Sequence, residues 1–284
     1  MIVAVVGPTG VGKTKLSVEL AKKYNAVIVN CDAVQVYKEL NIGSAKPKEE
    51  EKDGVLHLLF DIVNIDDNYT VKDYQKDVRK ILSEYSNRNI ILVGGTGLYL
   101  MAGLYDYEFE EEEESNRYEE LTNEELYNLA IQKDSTVDIH KNNRVRLIRF
   151  LNRRIVPQNG NNLLYNASFI GLTMPRDILY KRIDDRVDEM MKEGLLEEVQ
   201  TLYKKCPSAR VLKSAIGYKE LIDYLNGNVS LEEAVDLIKK NSRHYAKRQY
   251  TWFNNKMNIN WFNVNIENFS HTINEVENYL ENNN

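Results

Sequence analysis

Gly7-Pro8-Thr9-Gly10-Val11-Gly12-Lys13-Thr14 places two glycines, a lysine and a threonine at the spacing of a phosphate-binding P-loop. The flanking sequence supplies the setting that this pattern requires. Ile2-Val3-Ala4-Val5-Val6 is a short apolar run suited to a buried parallel strand, and Lys15–Tyr24 carries apolar residues at helical spacing. Strand, glycine loop and helix in that order aim several backbone N–H groups at one point, on the positive end of a helix dipole. In such a loop Lys13 reaches the outer phosphates and the Thr14 hydroxyl is a ligand for Mg2+, the expected cofactor. The chain is expected to grip a di- or triphosphate.

Further apolar runs at Val27–Val29, Ile90–Val93, Phe169–Leu172 and Asn258–Phe262 read as strands. Helical periodicity covers Val71–Ser86 and Pro175–Lys192, the latter closing at Gly194. Ser230–Glu233 is a capping box opening a long helix through Trp252, and Thr122–Glu125 is another. Strands separated by helices indicate an α/β fold, a P-loop NTPase-like parallel sheet with helices on both faces. Strand signals vanish between Tyr105 and Asn166, and Asn159-Gly160-Asn161-Asn162 closes that stretch with turn chemistry. Residues 106–165 are therefore expected to form a helical insertion domain on a core made of 1–105 and 166–284. The Asn-rich C-terminal tip is expected to fray.

Composition narrows the classes. No apolar run approaches a membrane span, and the first strand is too short, with too little charge before it, for a signal peptide. Cys31 and Cys206 are far apart, and His57, His140, His244 and His271 are scattered singly, so no zinc ligand set is visible. The chain reads as cytoplasmic with reduced thiols. A formal charge of −6 argues mildly against a nucleic-acid partner, but the average misleads, because Glu108–Glu114 alone holds six acids. Lys141–Arg154 carries Lys141, Arg144, Arg146, Arg149, Arg153 and Arg154 without an acid, and Lys239–Lys247 adds Lys239, Lys240, Arg243 and Lys247. Each is either the wet face of a helix or a footprint for phosphates.

Val27-Ile28-Val29-Asn30-Cys31-Asp32 reads as a second strand ending in an acid. Ligands of open α/β sheets sit beyond the carboxyl ends of the strands, so Asp32 is expected beside whatever the P-loop holds. There it helps to bind Mg2+, takes a proton from a nucleophile, or merely caps a turn. After Ile90–Val93 stands Gly94-Gly95-Thr96-Gly97, where an ATPase often places a metal-holding aspartate; the glycine pair permits a ligand to approach the backbone. The only comparable acid is in Leu58-Leu59-Phe60-Asp61, which leaves nucleotide hydrolysis weakly supported.

GPTGVGKT, NCDAVQVYKELNIGSAKP, HLLFDIV, ILVGGTGLYL, IHKNNRVRLIRFL, KRIDDRVDEMMKEGLLEEV, AIGYKEL and KRQYTWF occur in this order between Val3 and Phe253. Together they resemble the tRNA dimethylallyltransferases of bacterial type. The resemblance implies transfer of a dimethylallyl group from dimethylallyl diphosphate to N6 of adenine 37, beside the anticodon, in tRNAs reading codons that begin with U. It implies a monomer that binds the anticodon stem-loop. Gly7, Pro8, Thr9, Gly10, Val11, Gly12, Lys13, Thr14 and Arg186 then hold the diphosphate of a prenyl donor rather than ATP, with Thr14 on the metal. Asp32 resembles the general base, Thr9 the group near the donor's reacting end and leaving oxygen, and Arg186 a catalytic arginine that contacts the diphosphate. The RNA side resembles the family at Asp32, Ala33, Val34 and Gln35, at Thr96 and Arg117, at Arg146, Leu147, Ile148 and Arg149, and at Ser214, Ala215, Ile216, Gly217, Tyr218 and Lys219. The adenine is expected to leave its stack and enter a channel. Ala33 stands where the family usually has Ser, Ser214 where it often has Gln, and the proline-containing segment usual before RLIR is missing. A small-molecule P-loop kinase, an adenylate isopentenyltransferase and a non-catalytic RNA-binding module are the rival readings.

Overall fold

The computed structural model describes residues 1–109, 116–152 and 162–283. The described chain forms two compact units, one from Met1–Tyr105 with the segment from Leu163 to the C-terminus, the other Asp106–Asn162.

The larger unit begins with β1 (Ile2–Val6), α1 (Lys13–Tyr24), β2 (Ala26–Asn30), the single turn α2 (Glu49–Lys52) and β3 (His57–Leu58). It continues through α3 (Val71–Glu84), β4 (Asn89–Val93) and α4 (Gly97–Leu104). The smaller unit holds α5 (Asn123–Lys133) and α6 (Arg144–Asn152). The chain then adds β5 (Ala167–Thr173), α7 (Arg176–Lys192), α8 (Leu195–Lys205), α9 (Arg210–Ser214) and α10 (Tyr218–Leu225). It ends with α11 (Leu231–Lys256), β6 (Asn260–Asn263) and α12 (Phe269–Asn283).

All six strands run parallel in the order β3-β2-β4-β1-β5-β6. Successive side chains of a strand point to opposite faces, and here both faces are covered. Val3, Val5, Ile28, Ile91 and Ile170 pack under α1, α7 and α12, whereas Ala4, Val6, Val27, Val29 and Leu92 pack under α3, α4 and the end of α11. Continuous apolar runs are what such a doubly covered strand needs. The helices α7 to α11 build a further core with Val36, Leu40 and Ile65. Ser230 and Thr122 cap α11 and α5 as their sequence signature predicts, each accepting from the N–H three residues on.

The C-terminal tip corrects an expectation. Rather than fraying, Phe269–Asn283 forms a helix whose Val276 and Leu280 are buried against α1, and Lys23 holds Glu277 and Glu281 at 2.9 and 2.7 Å. Its asparagines lie on the wet face.

The smaller unit buries Leu126, Ala130, Leu147 and Leu151 between its two helices. Lys133 Nζ donates to the carbonyls of Phe150 and Leu151 at 3.1 and 2.9 Å, a cation at the negative end of α6. The acidic residues Glu110–Glu114, the arginines Arg153 and Arg154, and Asn159–Asn161 lie outside the described residues.

Candidate active site

The carboxyl ends of β1, β2 and β4 lie side by side, and each feeds a loop into one place. The loop after β1 turns through Gly10 and Gly12 at φ +80° and +104°, conformations that a side chain would strain. Thr9 N–H is taken by Gln249 Oε1 at 2.9 Å and Pro8 has no N–H. The amides of Gly10, Val11, Gly12, Lys13 and Thr14 donate to no acceptor among the described residues. Five orphan donors at a helix start form a nest for an anion.

Lys13 Nζ lies across this nest, donating to the carbonyls of Gly7 and Pro8 at 3.0 and 2.8 Å. Burial pulls its pKa down to about 8, with Asp32 pushing it back up and Arg186 lowering it further. The P-loop lysine, the acid after β2 and the arginine of α7 are thus brought close enough to feel one another's charge. Burial likewise lowers Arg186, which is half-buried and remains a cation. One turn earlier Arg182 donates from Nε to Gly10 O at 3.1 Å. The sequence reading missed Arg182, although its spacing of four from Arg186 puts both on one face of α7. The hydroxyls of Thr9 and Thr14 make no hydrogen bond to the described protein.

The loop after β2 is built to fix Asp32. Buried Asn30 accepts from Asp32 N–H at 2.9 Å and donates to Asp32 O and Leu59 O at 3.1 and 3.0 Å. Asp32 Oδ1 accepts from Val34 N–H and Gln35 N–H at 2.9 and 3.3 Å, leaving Oδ2 without a protein donor. One oxygen therefore caps the turn, and the other is left open to a ligand. Ala33 N–H donates to Thr96 Oγ1 at 3.2 Å, and Gln35 Nε2 donates to Ser44 O and Ala45 O at 2.9 and 3.1 Å. Glu198, unremarked in the sequence, accepts from the N–H groups of Asn41, Ile42 and Gly43 and from the Tyr218 hydroxyl, which anchors the loop that holds Gln35.

Several expectations change. The close approach allowed by Gly94 and Gly95 is made by the protein itself: a Cβ on Gly94 would sit 2.2 Å from Cys31 O, and one on Gly95 1.9 Å from Gln249 Nε2. Asp61 follows the edge strand β3, separated from β1 by β2 and β4, and pairs with Lys46 at 2.5 Å, so it holds no metal at the P-loop. In the basic stretch of α11, Lys239 and Arg243 pair with Asp188 and Asp184 of α7 at 2.7 and 2.5 Å, which makes them structural. Of the residues on the RNA side of the resemblance, Leu147, Ala215, Gly217 and Tyr218 are buried. Arg117, Arg146, Arg149 and Ser214 are exposed, while Val34, Ile148, Ile216 and Lys219 are half-buried.

A parallel sheet with an anion nest at one strand end and a fixed carboxylate at another defines a P-loop-like α/β protein. The chain belongs to the IPP transferase family, whose profile matches residues 35–256. It is 44% identical to the tRNA dimethylallyltransferase of Bacillus subtilis (strain 168), over 93% of this chain and 90% of that one. It is similar to the crystal structure of the tRNA isopentenylpyrophosphate transferase of Bacillus halodurans, with 42% identity, a TM-score of 0.77, and 99% and 95% of the two chains covered. A eukaryotic dimethylallyltransferase acting on tRNA shares the fold, with a TM-score of 0.83 at 24% identity over 99% of this chain and 79% of that one.

Proposed function

We propose that this chain is a tRNA dimethylallyltransferase, working as a cytoplasmic monomer. It moves a dimethylallyl group from dimethylallyl diphosphate to N6 of adenine 37 in tRNAs that read codons beginning with U, releasing diphosphate. The observation that supports this most is the set of five P-loop amides with no acceptor of their own, gathered with Lys13 and Arg186 beside Asp32.

In this reading the amides, Lys13, Arg182 and Arg186 hold the diphosphate. The allylic C–O bond breaks with carbocation character, so the positive groups stabilise the charge that develops on the leaving oxygen. The Thr9 hydroxyl lies at that oxygen. N6 of the flipped adenine forms the new C–N bond, and its proton passes to Asp32 Oδ2. Among the described residues no three carboxylate, imidazole or thiolate groups cluster as a metal site. A cation here would be held by Thr14 and by diphosphate oxygens, a donor set that suits Mg2+. Bound there, it would add positive charge beside the leaving group.

Arg146 and Arg149, exposed one turn apart on α6, would meet the anticodon stem-loop backbone. Such an element favours tRNA over a free nucleotide as acceptor. Incubation with labelled dimethylallyl diphosphate and either unmodified tRNA or AMP decides between them. Label in tRNA alone is expected; label in AMP alone makes the chain an adenylate isopentenyltransferase.

A further inference from the structure

We propose that Gln249 of α11 is a positioning residue that locks the donor loop to the acceptor loop, so that the leaving oxygen and the base keep one geometry. The inference rests on the transferase reading above.

Gln249 is only 5% exposed, and both ends of its amide are used. Oε1 accepts from Thr9 N–H at 2.9 Å, while Nε2 donates to Gly95 O at 3.0 Å. The two partners lie in different loops, one after β1 and one after β4. Turning the amide over would set N–H against N–H and oxygen against oxygen, so only one orientation satisfies the site. No other side chain of this length carries an acceptor and a neutral donor side by side: a glutamate would face Gly95 O with a carboxylate, and a methionine would leave both backbone groups unpaired.

The link continues to the base. Tyr245, one turn earlier on α11, sets its hydroxyl beside Thr96 and Gln249. Thr96 Oγ1 accepts from Ala33 N–H at 3.2 Å, and Thr96 N–H donates to Cys31 O at 3.1 Å. Thr96 thus brackets Asp32, whose own N–H and C=O are held by Asn30. One face of α11 therefore holds the main chain of Thr9 and of Gly95, the residue next to the Thr96 that borders Asp32. It occupies neither the Thr9 hydroxyl nor Asp32 Oδ2. Backbone groups are held and reacting groups are left open, which is what positioning requires. Gly95 completes the fit, since any Cβ there would collide with the amide.

The test compares wild type with Gln249→Met in the labelled transfer reaction on tRNA, with separate titrations of inorganic diphosphate and of tRNA. Displacement of a reacting group by roughly 1 Å costs up to about 10² in rate, so kcat is expected to fall at least tenfold. Kd for diphosphate and Kd for tRNA should stay within about threefold, because the nest amides and the basic helix are untouched. Tyr245→Phe removes one hydroxyl and keeps the ring, so it reads the same link where Met disturbs folding. Its kcat is expected to fall about two- to tenfold with both Kd values kept. In the double variant the losses should combine to less than their product, since both act through one link. Unchanged kcat in the folded variants overturns the inference, as does loss of diphosphate affinity at normal kcat. Failure of wild type to label tRNA is a different result, which removes the transferase reading itself and this inference with it.

Discussion

In the proposed mechanism Asp32 carries two roles on two oxygens, and one pair of substitutions separates them. Asp32→Asn keeps an oxygen at Oδ1, where Val34 N–H and Gln35 N–H donate at 2.9 and 3.3 Å, and keeps the main chain that Asn30 grips. It replaces Oδ2, which has no protein donor and would receive the proton, with an amide that cannot take it. Asp32→Ala removes both oxygens. A positioned base commonly contributes about 10²–10⁴ in rate, or roughly 3–5 kcal/mol at about 1.4 kcal/mol per tenfold. A side-chain cap of this kind is worth about 1 kcal/mol of stability, equivalent to a shift in Tm of about 2–4 °C in a protein of this size. Both variants should therefore lose at least about 10² in single-turnover transfer of labelled dimethylallyl to saturating tRNA. Only Asp32→Ala should also melt lower, and tRNA should still bind to both. An Asp32→Asn enzyme with wild-type turnover would refute the base assignment, and equal melting of the two variants would refute the cap.

Other outcomes follow from the charges of Lys13 and of α6. Lys13 is a cation below about 8 and neutral above it, so affinity for dimethylallyl diphosphate should weaken as pH rises through that value; Lys13→Met should abolish binding at every pH. Because the unfolded lysine keeps its proton to 10.5, the folded state binds fewer protons between about 8 and that value. This group therefore makes the ligand-free protein more stable as pH rises across the same window, which urea titrations at two pH values would read. Replacing Arg146 and Arg149 together with Gln should weaken tRNA binding and make log K against log salt shallower by about one to two, leaving diphosphate affinity unchanged. An unchanged slope would return α6 to an ordinary solvated helix.

Much of this was legible in the chain, for identifiable reasons. Ile2–Val6, the glycine loop and the helix after it are local signals whose period and spacing need no distant partner. Asp32 could be placed at a strand end because ligands of parallel sheets gather there. The edge strand β3 has two residues, too few to show a period, and α9 has five. Gln249 and Glu198 were invisible for another reason. A lone polar residue within an amphipathic helix looks solvent-facing until the fold brings backbone N–H groups to it, and their partners lie 240 and about 155 residues away. Likewise, Lys239 and Arg243 could be read as a wet face or a phosphate footprint, but not as ion pairs, because Asp184 and Asp188 belong to a helix far earlier in the chain.

What the P-loop holds decides the chemistry of the whole site. A crystal structure with an unreactive thiolodiphosphate analogue of the prenyl donor tests this directly. The expected result is diphosphate oxygens about 3 Å from the amides of Gly10 to Thr14, Lys13 on the outer phosphate, and the prenyl carbon turned toward Asp32. A diphosphate bound away from those amides, or a prenyl chain directed away from Asp32, would contradict it.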